Sequence, residues 1–107
     1  MSVEFQTVTL QLEAQKDAPG DVTATTDSFS NVVLDAEACI KSWELSFPRS
    51  DHEFHKAFVK ITEVSVTANN KKVQVTGRLG LRDDSGTWDD TYAGTAEVLV
   101  IARLANN

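Results

Sequence analysis

The run Asp83-Asp84-Ser85-Gly86-Thr87-Trp88-Asp89-Asp90 places four carboxylates and an indole within eight residues. Carboxylates crowded on a turn suit calcium, a hard cation that collects about six to eight oxygen ligands. Asp83, Asp84, Asp89 and Asp90 are therefore candidate calcium ligands. An EF-hand is excluded, because counting from Asp83 puts Trp88 at the sixth position in place of glycine and Gly94 at the twelfth in place of glutamate. The plainer reading is a hairpin turn with Gly86 in the left-handed conformation, its carboxylates solvated or paired with Arg78 and Arg82.

The same stretch has the composition of a sugar site. An aromatic face stacks on the apolar face of a pyranose while carboxylates accept hydrogen bonds from its hydroxyls. Trp88 and Tyr92 are the candidate stacking platforms, and Asp89 and Asp90 the candidate acceptors. Trp43 beside Glu44 repeats the pairing less clearly. Against this stands the ordinary role of tryptophan as a core residue. Small lectins of sandwich type are the nearest architectural analogy, and no lectin motif is matched.

Asp51-His52-Glu53-Phe54-His55 gathers both histidines of the chain. Ser50-x-x-Glu53 has the spacing of a capping box, which predicts a short helical turn near residues 51–57 with Phe54 and Phe58 on one face. On such a turn His52 and His55 are neighbours and could hold a transition metal with a further carboxylate. The plainer reading is a pair of surface histidines. His-Glu-x-x-His, Gly-x-Ser-x-Gly and phosphate-binding glycine loops are all absent. The chain accordingly reads as non-enzymatic, with a small metal-dependent enzyme built on His52 and His55 as the remote alternative.

Cys39 is the single cysteine, so no intrachain disulfide forms; between Ala38 and Ile40 it reads as a small core or strand residue. The 107 residues fit one domain, 1–107. A net charge of -6, from 16 acidic against 10 basic residues, argues against nucleic acid and anionic lipid as partners, since Lys71-Lys72 is the only adjacent basic pair. No apolar run is long enough for a membrane span. Met1 to Phe5 lacks the basic and apolar regions of a secretory signal, which makes the cytoplasm the default location and leaves export without a cleaved signal open.

The elements that must position these residues are strands. Val73, Val75, Leu79 and Leu81 alternate with Lys72, Gln74, Thr76, Arg78 and Arg82, the pattern of a half-buried strand between the turn clusters Asn69-Asn70 and Asp84-Ser85-Gly86. Together with the segments before and after it, this predicts a three-stranded meander over 57–104. Alternation elsewhere slips by one residue near Gln6-Thr7, where a bulge is the simplest cause, near Lys41-Ser42, where two strands separated by a bend fit, and near Thr62-Glu63. Ala93-Gly94 marks another bend or bulge. Residues 21–31 read as an edge strand or ordered loop. Over 35–45 a helix competes with a strand, because Ala, Glu and Lys favour it. Residues 95–104 are apolar on both faces at the middle, which predicts a central strand.

Short strands separated by polar turns indicate an all-β antiparallel sandwich of the jelly-roll or immunoglobulin-like kind. The function expected of it is ligand binding, carbohydrate first and with calcium as the candidate cofactor. The competing expectation is an assembly subunit that oligomerises through a strand edge or sheet face.

Overall fold

A computed structural model describes residues 2–48, 54–83, 88 and 91–106, with backbone alone at 54, 55 and 83. Six strands follow in order: β1 (Ser2–Gln15), β2 (Val22–Thr25), β3 (Val33–Ser46), β4 (Phe54–Val66), β5 (Val73–Asp83) and β6 (Tyr92–Leu104). They form two antiparallel sheets, sheet A in the order β1-β6-β3 and sheet B in the order β2-β5-β4. The sheets pack as a β-sandwich, with β1 against β2, β6 against β5 and β3 against β4. Its core is the inward parity of three strands: Val8, Leu10 and Leu12; Val73, Val75, Leu79 and Leu81; Ala96, Val98, Val100, Ala102 and Leu104.

The expected central strand is present, since β6 lies between β1 and β3. The expected meander is not. β4 and β5 form a hairpin, but β6 crosses to the opposite sheet, where its doubly apolar middle has a strand on each edge and the core beneath. The helix weighed over 35–45 is also overturned: this segment is β3, paired to β6 from Val33 to Ser46. Ala36, Ala38 and Ile40 alternate toward the core, and that pairing outweighs the helical preference of Ala, Glu and Lys. Phe54 to Ala57 are extended as the start of β4, so the helical turn near 51–57 does not extend over them; residues 51–53 lie outside the described residues.

The slips at Lys41-Ser42 and Thr62-Glu63 are register shifts, between Ile40 and Ser42 and between Ile61 and Glu63. The slip near Gln6-Thr7 is not one. β1 pairs with β6 without a break from Ser2 to Leu12, and its shift falls between Leu12 and Gln15. Continuous pairing turns Glu4 and Gln6 inward and leaves Val3 and Phe5 outward, 50% and 61% exposed. Gly94 itself pairs with Leu12 and Leu45, and the β1–β6 shift lies directly beside it, opposite Ala93, so the irregularity expected at Ala93-Gly94 is present, with the extra residue on β1. A Cβ on Gly94 would stand 2.5 Å from the Leu45 Cδ2, so the glycine makes room for the leucine.

Long strands make a long, thin sandwich. The radius of gyration is 16.2 Å, against about 13 Å for a compact chain of this length. In so thin a body the inward residues of β3 and β4, such as Ala38, Leu45, Ile61 and Val64, are only half-buried.

Candidate functional site

Trp88 stands where the β1–β2 connection meets the segment entering β6. Its carbonyl accepts from the Asp17 amide at 2.8 Å, and Asp17 has the left-handed φ of 75° that this tight approach requires. The indole is half-buried, tilted against Tyr92 at 5.5 Å between ring centres and edge-on to Phe58 at 6.3 Å. Arg82 lies over it, the guanidinium carbon 5.6 Å from the ring centre. Trp88 thus spends much of its ring on its neighbours.

Tyr92 is fully buried. Its hydroxyl donates to the Asp17 carbonyl and accepts from the Gln15 Nε2, and burial pushes its pKa above the usual phenol value. A ring without exposed surface cannot stack on a sugar, so the assignment of Tyr92 as a platform is corrected: it is a core residue that closes the β1–β2 turn. Asp84, Asp89 and Asp90 lie outside the described residues, as does His52; Asp83 and His55 are described in backbone alone, both within strands. Among the described residues no three His, Cys, Asp or Glu side chains converge on a metal position. Cys39, expected as a small core or strand residue, is a strand residue of β3 and is exposed, not in the core. It pairs with Leu99 on the parity opposite Ala38 and Ile40, which face inward.

The β3 edge of sheet A presents an aromatic residue in more favourable surroundings, beside the sheet's outer face. Residues directly opposite on neighbouring strands share a face, and the register reads Thr9–Glu97–Ser42 and then Gln11–Thr95–Glu44 across β1, β6 and β3. The bulge between Ile40 and Ser42 shifts β3 by one residue just before Trp43, whose own rung, Leu10–Ala96–Trp43, has the parity of the core; Trp43 escapes burial because β3 is the edge strand of sheet A. Trp43 is 58% exposed. With Thr9, Ser42, Glu44, Thr95 and Glu97 it lines an open depression of about 310 Å³. A smaller depression of about 120 Å³ shares Glu44 and Thr95 and continues past Gln11, Ser46 and Ala93. Together they make a shallow polar trough with one indole, two carboxylates and several hydroxyls.

The other half of this face is apolar. Thr7–Leu99–Cys39 and Phe5–Ile101–Glu37 are its rungs, closed at the end by Val3–Arg103–Asp35. In that last rung Arg103 holds Asp35 in a two-pronged ion pair, Nε to Oδ1 at 3.0 Å and Nη2 to Oδ2 at 2.7 Å. Those bonds hold the Asp35 carboxyl below its usual pKa. The Lys41 Nζ reaches across β6 to the Thr7 Oγ1 at 3.3 Å, which places a cation between the two halves.

Sequence reasoning saw Trp43 and Glu44 as neighbours but had no means of adding Thr9, Thr95 and Glu97, which only the strand register brings to them. No family model matches the chain, and comparison with curated proteins and solved structures gives no match.

Proposed function

We propose that this domain works by binding, and that it takes a polyhydroxylated ligand, a glycan, in the trough on the outer face of sheet A, which Trp43 borders from the β3 edge. The observation that carries the reading is Trp43, exposed beside Glu44, Glu97 and three hydroxyl side chains. The indole supplies a platform for the C–H face of a pyranose. The two carboxylates accept from sugar hydroxyls, and Thr9, Ser42 and Thr95 can both donate and accept. A shallow, open trough matches one or two sugar units at the end of a chain. The experiment is a glycan array probed with the wild type and with Trp43→Ala, with and without calcium. Glycan retention that Trp43→Ala removes supports the reading, and retention untouched by that change refutes it. Dependence on calcium would bring the Asp83, Asp84, Asp89 and Asp90 turn into the site.

A second reading, assembly with further copies, rests on the apolar half of the same face. Val3 and Phe5 are outward and at least half exposed, next to Leu99 and Ile101. Contiguous exposed apolar surface commonly marks an interaction site. Light scattering across a dilution series tests it: an oligomer that Phe5→Ser dissociates supports assembly, and a monomer at every concentration refutes it.

A further inference from the structure

We propose that the outer face of sheet B holds a second site, for the anionic group of an acidic saccharide, with Lys56, Lys60 and Arg82 as the residues that bind its sulfate or carboxylate. Three alternate rungs of the β4–β5 ladder define it: Lys56 opposite Arg82, Phe58 opposite Gly80, and Lys60 opposite Arg78. Leu79 and Leu81 point into the core, so the alternate residues Arg78, Gly80 and Arg82 face outward together with their partners.

Two of these rungs set a cation directly against a cation, an arrangement that destabilises a sheet. The chain has carboxylates in excess, at a net charge of -6, yet it relieves only one rung with a described partner: the Arg78 Nε donates to Asp21 at 2.7 Å. For Lys56 and Arg82 no carboxylate partner stands among the described residues. The Arg82 Nε is buried and has no acceptor among them. A buried donor left unpaired is costly, and it marks Arg82 as a cation short of partners; an oxyanion on the accessible side of this rung would neutralise Arg82 together with the exposed Lys56 opposite it.

The cations are also held ready. Lys56 and Lys60 place their Nζ atoms 5.7 and 5.4 Å from the centre of the Phe58 ring, and Arg82 lies over Trp88. Cation–π attraction fixes the three heads on two rings that are themselves locked edge to face. Gly80 lets the Phe58 ring lie against the strand: a Cβ at this position would stand 2.7 Å from the ring, with the Pro19 Cγ at 3.1 Å. A platform ordered in advance loses little freedom when an anion arrives.

A short acidic saccharide fits better than nucleic acid. The cationic track runs only from Lys56 to Lys60, about 13 Å of strand, and the overall charge repels a long phosphate backbone. Both rings on this face carry cations, whereas strand-binding proteins offer open rings to successive bases. That the anion is carried by a sugar rests on the proposed glycan function; the anion site itself does not.

The test is a backbone-amide NMR titration of the wild type with a heparin-type sulfated tetrasaccharide, maltotetraose, inorganic sulfate and an oligothymidine. The expected result is that the sulfated tetrasaccharide shifts amides of β4 and β5 around Phe58 and Gly80, that maltotetraose leaves them unmoved, and that added salt weakens the binding. Replacing both lysines, Lys56→Gln with Lys60→Gln, weakens it by about tenfold, equivalent to about 1.4 kcal/mol. Trp43→Ala leaves it unchanged, which separates this site from the trough on sheet A. Absence of shifts on β4 and β5 with every anion overturns the site. Binding of sulfate or oligothymidine as tight as that of the tetrasaccharide overturns the saccharide as its ligand.

Discussion

The side-chain amide of Gln6 grips the backbone of Asp27 at both ends, its Nε2 donating to the Asp27 carbonyl at 3.1 Å and its Oε1 accepting from the Asp27 amide at 2.9 Å. Two residues earlier Glu4 does the same for Ser30, accepting from both the amide and the hydroxyl. β1 thus uses two inward positions as substitutes for a neighbouring strand, pairing with the β2–β3 connection where no ladder runs. Alternation then obliges Val3 and Phe5 to face solvent, and the apolar half of the outer face of sheet A follows from that clasp.

Replacing Gln6 with leucine removes both bonds while keeping a side chain of similar length. The expected loss is about 1 to 2 kcal/mol, since each hydrogen bond contributes about 1 kcal/mol net. Urea denaturation measures it, and amide exchange at Asp27 localises it. An unchanged midpoint would mean that water replaces the clasp at no cost.

The Glu4 bond gives the same connection a dependence on pH. Its carboxyl sits below the ordinary value of 4.5, chiefly because the Ser30 hydroxyl and then the Ser30 amide bond to the charged form. A group with a depressed pKa in the folded state contributes stability above its ordinary value and loses it as the pH falls through the folded value. The protection factor of the Ser30 amide, its exchange rate relative to that of an unstructured amide at the same pH, should therefore fall as the pH drops below 4.5. Glu4→Gln should flatten that fall. Asp35, held down by Arg103 at the far edge of the sheet, titrates in the same sense, so Asp35→Asn is the control that should leave the Ser30 profile in place.

These two contacts also explain where the sequence was legible and where it was not. The strands themselves were readable, because alternation around Val73, Leu79, Val98 and Val100 reports burial directly. The slips at Lys41 and Thr62 were readable too, since their neighbours continue the pattern on both sides, although at Lys41 one continuous strand with a register shift replaces the two strands and bend that the pattern suggested. At Gln6 the same one-residue slip has another cause, hydrogen bonds to residues 21 and 26 positions away, and no local pattern encodes them. Trp43 and Trp88 are alike as letters; tertiary contacts from Phe58 and Tyr92 half-bury one and leave the other exposed. The cationic ladder was invisible for a similar reason. Lys56, Lys60, Arg78 and Arg82 are scattered along the chain and meet only through the β4–β5 register.

Gly77 interrupts an otherwise apolar parity, and its reason is spatial. A Cβ there would stand 2.6 Å from the Lys60 carbonyl oxygen and 2.7 Å from the Leu10 Cδ1. Leu10 is fully buried and the carbonyl belongs to a paired strand, so neither yields readily. Gly77→Ala should cost about 1 to 3 kcal/mol, the range of overpacked cores. Gly20 has nothing within 4 Å of the same position, and Gly20→Ala should be neutral or slightly stabilising through the unfolded chain. Thermal melts of the two variants give the comparison.

The two tryptophans should separate by stability as well as by binding. Trp88 packs against Phe58 and Tyr92 and carries Arg82 on its ring, so Trp88→Ala opens a gap at the end of the sandwich and should cost about 2 to 3 kcal/mol, less than truncation of a fully buried aromatic. Trp43, more than half exposed, should be lost at a cost within about 1 kcal/mol. Each variant leaves a single indole, so its fluorescence reports one site. The Trp88→Ala protein retains Trp43 and should emit to the red with ready acrylamide quenching. The Trp43→Ala protein should emit further to the blue and resist the quencher. The reverse pattern would put Trp43 in a packed position, remove the platform from the sheet A trough, and return the search for a sugar-stacking residue to Trp88.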